Sequence, residues 1–191
     1  MANIKVLMKR YRVGSFGTII PGLHINNRPA PYPVLNERAV RAGAGITFAA
    51  GFFAFFQAFY LDNFIFLQYL VAVLTIDFSI KVFIGPHLSP LSRLAQWTVT
   101  GQTPEYVGAL QKRFAWSIGL ILALTMSILI FGFSLFGTFT LVICGICLTF
   151  MFIESTFGIC VGCKIYNGLI SYGFVKSPEY KPACSGNVCE T

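Results

Sequence analysis

The chain has 191 residues, of which 55% are hydrophobic, 16% aromatic and 11% charged, and its mean hydropathy is +0.71. Twenty phenylalanines and so few charges exclude intrinsic disorder, and six cysteines spread over this length exclude a small disulfide scaffold. Fourteen Lys+Arg against seven Asp+Glu leave a net charge of +7, and a basic chain this apolar is expected to be a small integral membrane protein rather than a soluble domain.

From the N-terminus, residues 4–13 (Ile-Lys-Val-Leu-Met-Lys-Arg-Tyr-Arg-Val) alternate basic and apolar side chains, as a short strand or an arm lying on anionic lipid would. Pro21, Pro29, Pro31 and Pro33 follow, and because proline fixes φ and donates no backbone hydrogen bond they predict an extended connector. Residues 1–34 thus read as a basic, proline-containing cytoplasmic arm. The first 40 residues hold no apolar core followed by a small-residue cleavage site, so the first span is expected to direct insertion.

The membrane domain is expected over 35–168. A hydrocarbon core about 30 Å thick needs roughly 20 mostly apolar residues in a helix, and charges delimit such stretches. The first runs uncharged from Arg41 to Asp62 through Phe52, Phe53, Phe55, Phe56 and Phe59, which predicts a span at 41–61 turned by Asp62-Asn63. The second, 64–84, carries Asp77 and Lys81 in its last third and ends at Gly85-Pro86. Phe114 to Ile153 holds no charge and is long enough for two spans, 113–134 and 138–157, with Gly132 to Gly137 as the turn. In the central loop, Leu91, Leu94, Ala95 and Thr98 recur at helical spacing after Pro90 and beside Trp97, which predicts a short interfacial helix. All fourteen Lys and Arg fall on one side of this arrangement. Cytoplasmic loops are the ones enriched in them, so both termini and the central loop are expected inside. The expected fold class is therefore all-α, four transmembrane helices followed by a cysteine-containing cytoplasmic tail at 169–191.

Chemistry concentrates at the end of the fourth span, in Cys160-Val-Gly-Cys163-Lys164. Two thiols at this spacing can cycle between dithiol and disulfide, bind a soft metal, pass a persulfide, or merely pack. In an unbroken helix their β-carbons would lie about 5–6 Å apart, whereas a disulfide wants about 3.5–4.5 Å. A redox pair therefore requires a break near Gly158 or Gly162. A helical turn starting at Cys160, with Lys164 beside it, would lower the thiol pKa. Cys184 and Cys189 in the tail could join the pair in a tetrathiolate zinc or iron–sulfur site, although the sequence requires no cofactor. Cys144 and Cys147, a second pair at the same spacing inside the fourth span, read as helix packing.

Ionisable groups within spans mark functional sites by default. At 1.5 Å per residue Asp77, Lys81 and Glu154 lie ~20, ~26 and ~24 Å from the outer ends of their spans, at one depth. Asp77 and Lys81 are four residues apart on one helix face, and a charge cluster or ion relay between spans two and four is expected from the three. His24 and His87 have no neighbour at metal spacing and read as surface residues, and no nucleic-acid motif appears.

Asn36-Glu-Arg-Ala-Val-Arg41, Ile76-Asp-Phe-Ser-Ile-Lys81, Ser89-Pro-Leu-Ser-Arg-Leu94, Lys112-Arg-Phe-Ala-Trp-Ser-Ile-Gly119 and Phe157-Gly-Ile-Cys-Val-Gly-Cys-Lys-Ile-Tyr166 together resemble the bacterial membrane family catalogued as domain of unknown function 4395, over about residues 35–168. The resemblance implies a multi-span cytoplasmic (inner) membrane protein with a cysteine pair after its last span, and brings no known reaction. The function expected is thiol redox or sulfur transfer by Cys160 and Cys163 at the cytosolic face, with a thioredoxin-like or sulfurtransferase partner. The alternatives are a non-catalytic subunit or scaffold whose cysteines only pack, and a small transporter using Asp77, Lys81 and Glu154. Whether the chain is an enzyme is left open by the sequence.

Overall fold

The computed structural model describes residues 12–14, 16–25 and 28–174. Of the basic segment at 4–13 only Arg12 and Val13 are among them, and Cys184 and Cys189 lie outside the described residues. The elements in order are β1 (Arg12–Gly14), β2 (Gly17–Ile19), β3 (His24–Ile25), β4 (Arg28–Pro29), β5 (Val34–Asn36), α1 (Glu37–Tyr60), α2 (Ile65–Ser79, continued by a π-turn at Ile80–Ile84), α3 (Pro90–Thr98), β6 (Tyr106–Gly108), α4 (Ala109–Ser127, continued by a π-turn at Ile128–Gly132), α5 (Thr138–Phe157) and α6 (Val161–Ser171).

Four helices are long and apolar enough to cross a membrane, at Glu37–Tyr60, Ile65–Ile84, Ala109–Gly132 and Thr138–Phe157. Their outward faces carry exposed side chains such as Phe52, Phe59, Ile76, Phe131 and Phe139, a surface suited to lipid. The protein is a multi-pass membrane protein. Small residues allow close approach inside: a Cβ on Gly119 of α4 would meet the Phe78 ring of α2 at 3.0 Å, and one on Gly51 of α1 would meet Leu148 of α5 at 2.9 Å. The α1–α5 and α2–α4 faces are closely packed, while α4 and α5 touch little. The Asp62-Asn63 turn forms with Asp62 at φ 48° and the Asn63 side chain accepting from the Ile65 N–H at 3.1 Å.

Two expectations need correction. The fold is mostly helical but not all-α, because β1, β2, β5 and β6 form a four-stranded sheet in that order, and β3 pairs with β4 where an extended connector was expected. Strands of two or three residues are too short to show a period, and β5 finds β6 only across the chain, with Leu35 opposite Val107. The first and third spans also begin earlier than charge counting places them, at Glu37 rather than 41 and at Ala109 rather than 113. A charge limits a span only where it stays unpaired, and here Glu37 and Lys112 neutralise each other inside the fold. A short helix does occupy Pro90–Thr98, capped by Ser89, whose Oγ accepts from the Ser92 N–H at 3.0 Å. The last helix, α6, runs to Ser171, past the boundary expected at 168.

Candidate functional site: a buried charge triad beneath a thiol pair

The sheet positions the charges. β5 and β6 are antiparallel neighbours and lead directly into α1 and α4, so the first turns of these two helices lie side by side. The Glu37 N–H donates to the Glu105 carbonyl at 2.7 Å and the Ala109 N–H to the Pro33 carbonyl at 3.0 Å, which ties the two helix starts together. Glu37 thereby meets Lys112: Nζ lies 3.0 Å from one carboxylate oxygen of Glu37 and 2.9 Å from Glu154 Oε1 on α5. Lys112 is among the most deeply buried side chains of the protein, and the triad binds three spans at one end of the bundle.

Asp77 and Lys81 form an i,i+4 pair at 2.7 Å. Asp77 Oδ1 also accepts from the Ser89 hydroxyl at 2.6 Å and from the Leu91 N–H at 3.2 Å, so this carboxylate holds the first turn of α3 against α2. The Lys81 ammonium lies 5.3 Å from the Phe78 ring centroid and 5.8 Å from that of Trp116. Glu154 is thus bonded to Lys112, while Asp77 is bonded to Lys81 and α3. Lys81 and Glu154 meet across a cavity of about 70 Å³ that reaches Asn36, Ser92 and Gln96 at the loop end. Lys112 and Glu37 were not singled out from the sequence; both lie in the blocks that carry the family resemblance, which was the available signal.

The thiols sit where the fourth span stops. Gly158 takes the left-handed conformation, φ 67°, as the C-cap of α5, and Arg41 donates to the Thr156 carbonyl at 3.3 Å. A Cβ on Gly158 would lie 3.1 Å from the Arg41 guanidinium, so conformation and space both demand glycine there. The chain restarts with Cys160 as N-cap of α6, in extended backbone (φ −83°, ψ 105°), and Cys163 lies one turn into the helix. The new helix docks on α4: Gln111 donates to Asn167 at 3.1 Å, Phe114 and Tyr166 rings lie 5.3 Å apart, and a Cβ on Gly162 would meet Ala115 at 2.6 Å.

Cys160 is held below the usual thiol pKa because the Cys163 thiol donates to its sulfur, with the Lys112 charge adding to the effect against the opposing influence of burial and Glu154. Cys163 is correspondingly pushed up, by serving as that donor and by burial. The cation acting on the pair is Lys112; Lys164, expected in that role, is exposed. Cys160 and Cys163 are only 4% and 5% exposed, since docking of α6 on α4 covers them. Cys144 is buried and Cys147 half-buried within the continuous helix α5, and all four thiols are free. Among the described residues no group of three or more His, Cys, Asp and Glu is placed to hold a metal. His24 and His87 are exposed.

Cys160 also walls one end of a cavity of about 130 Å³ lined by α1, α2, α4 and α5 and by the first turn of α6. Its lining is apolar apart from Thr47, Glu154 and the sulfurs of Cys144, Cys147 and Cys160. Thr47, Phe78, Met151 and Glu154 line both cavities, so Glu154 stands between the thiol end of the larger one and the loop end of the smaller.

A family model described as Domain of unknown function (DUF4395) matches residues 35–170. No curated protein and no solved structure matches the chain.

Proposed function

The chain belongs to the family described as Domain of unknown function (DUF4395), and from that premise and the site geometry we propose that it is a membrane-embedded dithiol couple in which Cys160 is the nucleophile and Cys163 the resolving thiol. The observation that carries this reading is the restart of the helix at Cys160. Taking Cys160 out of helical backbone frees its sulfur to approach Cys163, and the helix N-terminus and Lys112 favour its thiolate. Oxidation forms one S–S bond and gives up two electrons and two protons to an acceptor.

Orientation belongs to the same proposal. The Lys/Arg-rich end, which holds the sheet, the triad and the thiols, faces the cytosol of a bacterial inner membrane. Single cysteines at Asn63 and Gly137 in a cysteine-free background then react with an impermeant maleimide from outside, and one at Gln102 does not; the reverse pattern overturns the orientation. A cytosolic thioredoxin-like or sulfurtransferase protein fits as partner if α6 can lift from α4. Transport is the weaker alternative, because Asp77 and Glu154 are each committed to bonds that fasten one helix to another.

A packing role for the cysteines draws on the burial of both thiols, and the test separates it. Protein in lipid nanodiscs is treated with diamide and then dithiothreitol, and free thiols are mapped by mass spectrometry. A reversible Cys160–Cys163 disulfide, lost in Cys160→Ser and in Cys163→Ser, is the expected result. A persulfide on Cys160 after incubation with a sulfane-sulfur donor marks sulfur transfer. Neither product in the wild-type protein leaves the packing role.

A further inference from the structure

The larger cavity decides what can reach the thiols. Docking of α6 covers Cys160 from the loop side, yet its residue lines the cavity on the membrane side, and Cys163 does not. The cavity has side chains of both α4 and α5 on its wall, and the seam between these two spans is more loosely packed than those between α1 and α5 or α2 and α4. Half-buried Ile118, Leu122 and Phe150 flank it there. A molecule arriving through that seam comes from the bilayer and is lipid-soluble.

Size and chemistry narrow it further. A cavity of about 130 Å³ is close to the roughly 150 Å³ that accommodates a benzene ring in an apolar protein interior. One ring fits, with any alkyl tail leaving through the seam. At the Cys160 end the wall turns polar at Glu154 and Thr47, with Lys112 bonded to Glu154 behind it. The occupant is therefore an apolar ring with a polar edge. A dithiol couple at that edge further requires an acceptor of two electrons and two protons.

We propose that this cavity takes the ring of a lipid-soluble quinone, which oxidises Cys160 and Cys163. The inference rests on the dithiol reading above and names its electron acceptor. Two S–H bonds break and one S–S bond forms; the quinone gains the electron pair and two protons, giving two O–H bonds of a hydroquinone. Glu154, on the wall shared with the smaller cavity, is placed to pass protons between the thiol end and the loop end, with Lys112 and Glu37 as its charged neighbours from α4 and α1 and Lys81 facing it from α2.

The experiment separates binding from chemistry. The Cys160→Ser/Cys163→Ser protein, with Trp97→Phe to leave Trp116 as the single tryptophan, is titrated in nanodiscs with 2-decyl-1,4-benzoquinone. Saturable quenching is expected, weakened at least tenfold by Ala123→Phe, which fills the cavity, and not competed by decylbenzene. Thermal unfolding verifies that the Ala123→Phe protein is folded; Cys147→Phe fills the same cavity from α5 and serves if it is not. The wild-type protein then forms one hydroquinone per Cys160–Cys163 disulfide. Absence of saturable quenching, or equal displacement by decylbenzene, overturns the quinone assignment even where diamide still forms the disulfide. Saturable binding without any disulfide, by quinone or by diamide, instead overturns the dithiol reading and the electron transfer with it.

Discussion

Two cysteine pairs of identical spacing lie in this protein fewer than twenty residues apart, and the backbone treats them differently. Cys144 and Cys147 belong to the uninterrupted helix α5, where residues three apart keep their β-carbons about 5–6 Å from each other, beyond disulfide reach. Cys160 and Cys163 straddle a helix start, so the first thiol sits on extended backbone and the second can donate to it. Spacing alone says little about a thiol pair; the backbone state of its first member says much more. Here that state is imposed from outside the motif, by Gly158 in its left-handed conformation and by Arg41 packed over it.

The charge triad should be the most sensitive way to break the contrast. Lys112→Met leaves Glu37 and Glu154 buried without their cation, and removing one member of a buried ion pair costs about 3–5 kcal/mol. We expect a large fall in the thermal unfolding temperature in detergent, recovered for the most part when Glu37→Gln and Glu154→Gln are added. In the rescued triple variant, Cys160 alkylation slows and Cys147 alkylation does not. Equal stability of wild type and Lys112→Met would mean that the triad does not hold the spans together.

Glycine substitutions sharpen it next. Gly158→Ala forces a Cβ into left-handed backbone, about 1–2 kcal/mol, and crowds Arg41. The stability loss should come with slower disulfide formation at Cys160. Gly145→Ala, between the cysteines of the other pair, meets open space in a helix interior. It should be neutral or stabilising by up to about 1 kcal/mol and leave both pairs as they were. If the two substitutions act alike on the thiols, the break is not what distinguishes the pairs.

The pH effect is smaller. Cys160 is the group with the lowered pKa, so its thiolate forms, and its alkylation accelerates, below the ordinary thiol value of about 8.5. Cys163→Ala removes the donor and should move that inflection upward. A rate profile unchanged by Cys163→Ala would show that the two thiols do not communicate.

Much of this was legible in the sequence. The uncharged gaps indicated four helices long and apolar enough to cross a membrane, the helical spacing of Leu91, Leu94, Ala95 and Thr98 after Pro90 indicated the short central helix, and the glycines around Cys160 indicated where a break could fall. The partners of Glu154 were not legible. Lys112 reaches it because β5 and β6 pair across the chain and bring the starts of α1 and α4 together, and three-residue strands leave no periodic trace. For the same reason the mutual neutralisation of Glu37 and Lys112 was not legible, and the first and third spans were expected only from 41 and 113. Burial of the thiols was equally hidden, since it depends on α6 folding back on α4 through Gly162 and Ala115, a contact that no local pattern announces.

The central claim, that the helix restart makes Cys160 and Cys163 a redox couple and leaves Cys144 and Cys147 inert, is tested most directly by redox equilibration. Wild-type protein in nanodiscs is brought to equilibrium across a series of reduced to oxidised dithiothreitol ratios, quenched in acid and read site by site by mass spectrometry. The account predicts a single two-electron transition at Cys160–Cys163, with Cys144 and Cys147 remaining thiols throughout. Two pairs that oxidise together, or a Cys160–Cys163 pair that stays reduced at every ratio while Cys144–Cys147 forms a disulfide, would contradict it.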